Sequence, residues 1–99
     1  MTLYIPSHFT ESNSERAHDL IRSNPFATLI TVADGSEPLI SHLPMLLRPD
    51  GKTVFGHLSR NNPHARVADG TPATVIFHGP HTYISASWYT APSVPTWNY

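Results

Sequence analysis

Cysteine is absent from the 99 residues, which removes a disulfide framework, a thiolate metal site and a cysteine nucleophile together. Charge is scarce too. Charged residues make up 13% of the chain, too few for a long solvated helix or a charged tail. Six Lys plus Arg against seven Asp plus Glu leave a net charge of −1, so the chain has no basic footprint for duplex DNA. The opening MTLYIPSHF lacks the basic region and apolar run of a secretory signal. No window approaches the ~20 apolar residues of a membrane span, and a cytoplasmic protein is expected. Ten prolines, five glycines and 39% apolar residues describe instead one small, turn-rich domain over residues 1–99.

The first organised element is a helix over Ser12–Ser23. Ser12 and Glu15 have capping-box spacing, Ala17, Leu20 and Ile21 form an apolar stripe, and Asn24-Pro25 ends it. Phe26–Ala33 is short, apolar and β-branched, and reads as a buried strand followed by an Asp34-Gly35 turn. Pro38–Leu47 is the next strand, with Leu39, Ser41, Leu43, Met45 and Leu47 on one face and Ile40, His42, Pro44 and Leu46 on the other. Pro44 cannot donate to a ladder, which places an edge or bulge there. After the turn at Pro49-Asp50-Gly51, Lys52–Ser59 reads as a third strand. Asn62-Pro63 starts a short helix that Asp69-Gly70 ends. Ala73–Gly79 and Thr82–Tyr89 complete five expected strands, joined by antiparallel turns, and a small barrel is the economical way to hide their edges.

The stretch GHLSRNNPH, Gly56 to His64, is the most informative for chemistry. A strand delivers His57 and Ser59, and the chain then turns at Arg60 and Asn61. Free amides at a helix start, together with a forked guanidinium, would make an anion pocket that a phosphate fits. The same residues also describe an ordinary capped turn with a surface arginine. Seven histidines invite a metal site, yet no HExxH or His-x-His pattern brings three ligands together, so none is expected. There is no GxSxG elbow, acid pair or glycine-rich nucleotide loop, and no catalytic residue is assigned. The aromatic run Tyr83, Trp88, Tyr89, Trp97 and Tyr99 suits core or interface packing, or stacking on a planar ring.

The motifs YIPSHF, NPFATLIT, ISHLPMLL, FGHLSRNNPH, VIFHGPHTYISASWY and VPTWNY occur in the order found in PaiB-type FMN-binding negative transcriptional regulators, and the resemblance runs along nearly the whole chain. It implies a mainly β fold, an antiparallel split β-barrel with one or two short helices, and a homodimer with FMN at the subunit interface. It also implies repression of genes for sporulation and degradative enzymes. The segment His57, Ser59, Arg60, Asn61 and Asn62 corresponds to the phosphate site, with Arg60 paired to the phosphate. Ser41, His42 and Pro44 correspond to the strand beside the flavin ring and ribityl chain. Ser59 and Asn61 stand where alanine is more usual, and Ala86 where proline is usual. The family continues for about as many residues again, so these 99 are expected to be the N-terminal half of a longer protein. The rival expectation is a flavin-dependent oxidoreductase of the same superfamily, since fold does not choose between binding and redox roles. A bare dimerisation or DNA-binding module is the third, though the charge gives direct DNA contact no support.

Overall fold

In a computed structural model of the protein, the described residues are 3–92. Helix α1 spans Ser14–Ser23, and its cap is Asn13 rather than Ser12. The Asn13 side chain accepts from the Glu15 amide at 3.0 Å, while Glu11 accepts from the Asn13 amide at 2.9 Å. The two acceptors satisfy different amides, Asn13 capping the first turn and Glu11 holding the capping residue. The Asn13 amide holds the Glu11 carboxyl below its usual range, with Arg16 adding to the effect. At the other end Asn24 closes α1, its backbone and side-chain N–H groups both donating to the Leu20 carbonyl. Pro25 then prevents continuation.

Four strands follow: β1 at Phe26–Thr31, β2 at Leu39–Leu47, β3 at Val54–Gly56 and β4 at Ala73–Phe77. They form one sheet in the order β3-β2-β1-β4, antiparallel throughout. The expected fifth strand at Thr82–Tyr89 does not form. The Ser85 hydroxyl accepts from the Ser87 amide and folds Ala86–Trp88 into a 3₁₀ turn, a local alternative that removes the donors a ladder would need. The second expected helix is likewise a single 3₁₀ turn, Pro63–Arg66, because Val67 is already extended. The fold is therefore mainly β with one α-helix, and the sheet is open, with β3 and β4 as its edges among the described residues. Trp97 and Tyr99 lie outside the described residues.

The register sets Phe26 opposite Pro44, Thr28 opposite His42 and Ile30 opposite Ile40. Alternation then gives the sheet two different faces. Ala27, Leu43 and Met45 are buried on the inner face, with Leu29, Val54, Leu58, Val75 and Phe77 packed against them. On the outer face Phe26, Ile40, Leu46, Phe55 and Ile76 remain exposed. Tyr83 and Trp88 are exposed as well, so neither fills the core of the single chain.

The hairpin from β2 to β3 turns at Asp50-Gly51, where Gly51 has φ +70 and a Cβ would meet the His18 ring at 2.6 Å. Arg48 lays its guanidinium 4.7 Å from the centre of the Phe55 ring across the same hairpin. Gly56 sits opposite Met45 so closely that a Cβ would lie 2.7 Å from the Pro44 carbonyl oxygen. Backbone cannot yield there as a flexible side chain can. Gly56→Ala should push β3 off β2 and lower stability by about 1–3 kcal/mol, read as a drop in thermal midpoint; an unchanged midpoint would show that β3 is free to shift.

Candidate functional site

Beyond Gly56 the chain leaves the sheet and makes the turn that the sequence marks. Ser59 organises it twice: its carbonyl accepts from the Asn62 amide at 3.0 Å and its hydroxyl from the Asn61 amide at 3.2 Å. Asn62 caps the Pro63–Arg66 turn, its side-chain oxygen accepting from the His64 amide at 2.9 Å. Pro63 has no N–H. The amides expected to face a ligand at Asn61, Asn62 and His64 are thus satisfied within the turn. His57, Arg60 and Asn61 keep exposed side chains at the turn.

The turn is tied to the sheet through a polar group of four, the half-buried Asn62 and the buried Ser41, His64 and Thr31. Asn62 donates its side-chain N–H to the Ser41 hydroxyl at 2.9 Å. Ser41 lies 2.6 Å from His64 Nδ1, and His64 Nε2 lies 2.9 Å from the Thr31 hydroxyl. Thr31, Ser41 and His64 are each 6–7% exposed. Among the described residues no buried side-chain nitrogen or oxygen lacks a partner, as burial requires.

The expected site residues therefore divide. Ser41 and Asn62 meet directly, and Ser59, Arg60 and Asn61 share Asn62's turn, with His57 at its entrance. His42 and Pro44 are on the opposite, outer face of β2. There His42 Nδ1 is 3.1 Å from the Thr28 hydroxyl and its ring stacks near Phe26, centroids 6.4 Å apart. Nothing in the sequence marks His64 and Thr31 as the partners of Ser41. The alternation of β2 put Ser41 on the inner face, which signals that a polar partner must come to it, but nothing in the chain's order names a residue 23 positions away.

A cavity of about 350 Å³ lies beside the Pro63–Arg66 turn, lined by Thr31, Leu39, Pro63, Arg66, Val67 and Thr71 among others. Elsewhere the His78 and His81 rings approach to 6.4 Å, and among the described residues no three His, Asp or Glu side chains converge as metal ligands. Among the described residues no helix is long and apolar enough to cross a membrane.

Comparison with known proteins adds the chemistry. Residues 3–99 match the model of a family described as "Putative FMN-binding domain". The chain is also 38% identical over 100 residues to the Bacillus subtilis (strain 168) "Protease synthase and sporulation protein PAI 2". That alignment covers 98% of this chain and 48% of the relative, so the chain spans about half the length of the curated protein it matches.

Removing the Ser41 hydroxyl leaves both His64 Nδ1 and the Asn62 amide without a partner in a buried place. Ser41→Ala should destabilise the protein by about 1–3 kcal/mol in urea unfolding, whereas His42→Ala on the outer face should stay within about 0.5 kcal/mol. Equal effects would contradict the assignment of the two residues to opposite faces.

Proposed function

The chain belongs to this FMN-binding domain family, so FMN is its cofactor, and on that premise we propose that the Ser59–Asn62 turn receives the FMN phosphate in a PaiB-type regulator. Arg60 carries this reading. It is exposed on the turn and makes no ion pair among the described residues, so its five donors and fixed charge are available to a phosphate. His57 and the Asn61 side chain would add donors at the entrance. When bound, FMN supplies a ring that can take up and release electrons and a phosphate that anchors it.

The outer face of β2 lies across the sheet from the face to which Asn62 ties the turn, so the other end of an FMN held at the turn of a second copy would be the one to meet it. His42 and Pro44, with Phe26 and Ile40 beside them, offer a flat, largely apolar surface at the sheet's exposed side. The same face bears on partners. Phe26, Ile40, Leu46, Phe55 and Ile76 form an apolar surface that a monomer in water would not ordinarily leave open, and a second copy of the chain is its proposed cover. A homodimer would then enclose the flavin between subunits. The regulatory role is supported by the resemblance and by the relative's name, which refers to sporulation. With a net charge of −1, these residues would act through another part of the protein or a partner rather than by gripping DNA.

A charge-assisted contact contributes about 1.5–3 kcal/mol, so Arg60→Ala should raise the FMN dissociation constant by roughly ten- to a hundredfold. Fluorescence titration of the flavin measures it, and an unchanged constant removes Arg60 from the site. Ile40→Glu should convert a dimer to monomer in analytical ultracentrifugation. A wild-type protein that sediments as a monomer at high concentration would refute the dimer. Bleaching of the flavin band by NADH or NADPH without oxygen would move the function to an oxidoreductase.

A further inference from the structure

The direction of the hydrogen bond between Asn62 and Ser41 can be read from the amide beside it. The His64 amide can only donate, so the Asn62 side-chain oxygen faces it and the Asn62 nitrogen faces Ser41. Ser41 therefore accepts from Asn62. The bonds between Ser41 and His64 Nδ1 at 2.6 Å and between His64 Nε2 and Thr31 at 2.9 Å run in the direction that the imidazole tautomer sets. The chain of hydrogen bonds runs from the turn, through β2, to the end of β1.

We infer that Thr31, Ser41 and His64 are positioning residues for the phosphate turn: they act through Asn62 to fix where Ser59–Asn62 lies over the sheet. The remaining bonds of that turn, from Asn61 and Asn62 to Ser59, are internal to it and set its shape but not its place. Leu58 packs on the core at one end, and the Asn62–Ser41–His64 bonds hold the other. Ser41 belongs to this fastening and not to the surface that touches the flavin. The inference rests on the reading that the phosphate binds at this turn.

Riboflavin, which lacks the phosphate, separates the roles. In Thr31→Val and His64→Leu, affinity for FMN should fall about tenfold, while affinity for riboflavin stays within about twofold. His64→Asn, whose amide can reach the Nδ1 position but leaves Thr31 unpaired, should lose no more of the preference for FMN than Thr31→Val does. Hydrogen exchange at the Asn61, Asn62 and His64 amides should quicken in the first two variants. FMN preference retained in Thr31→Val and His64→Leu, a parallel loss of both flavins, or unchanged amide exchange would each overturn the inference. If His64→Leu does not fold, Thr31→Val carries the test, since it preserves shape and removes one hydroxyl. A wild-type protein that binds riboflavin as tightly as FMN would instead overturn the phosphate reading itself.

Discussion

A buried imidazole held between two strands governs where the chain goes after it leaves the sheet. His64 is 6% exposed and meets a hydroxyl on each side, one from the end of β1 and one from the middle of β2. A polar ring in that position is stable only when both nitrogens are paired, since an orphaned one would cost the full desolvation of the group. The requirement is mutual. Thr31 and Ser41 are inward-facing polar residues on otherwise apolar strand faces, and each needs what the turn brings. Burial thus converts three unremarkable side chains into a geometric constraint on the loop that carries Arg60.

The constraint matters more because the apolar core is thin. Among the described residues only Ala27, Leu43 and Met45 are buried as apolar residues, with a ring of half-buried neighbours, while larger side chains stay exposed on the outer face. Area burial of this extent leaves much of the sheet's potential stabilisation unused. The outer face, with Phe26, Ile40 and Leu46 in view, is where the remainder would come from, and the proposed second subunit and flavin would both cover it. Fold stability and ligand binding would then draw on one surface. The inner network and the outer face are separated only by β2, whose alternate residues serve each in turn.

Much of this was legible from the chain itself, for identifiable reasons. The two faces of β2 follow from period-two alternation and hold in the structure, whereas β1, expected to be buried throughout, ends at Thr31, buries Ala27 and Thr31 and leaves Phe26 exposed. Errors arose where short polar residues compete. Ser12 and Asn13 both suit a cap, and Ser85 satisfies a neighbouring amide where a strand was expected. Asn62-Pro63 gave a true start, but its helix ends after one 3₁₀ turn, where Val67 is already extended. The Thr31–His64 and Ser41–His64 bonds join residues 33 and 23 positions apart, and no local pattern encodes such a meeting. The resemblance points to the turn, and the buried hydrogen bonds show what holds it.

The most direct measurement is a backbone amide NMR titration of the protein with FMN. Phosphate capture at the turn predicts saturable shifts centred on His57, Arg60 and Asn61, accompanied on the outer face of β2 by His42. Shifts confined instead to Leu39, Val67 and Thr71, around the cavity beside the Pro63–Arg66 turn, would contradict it.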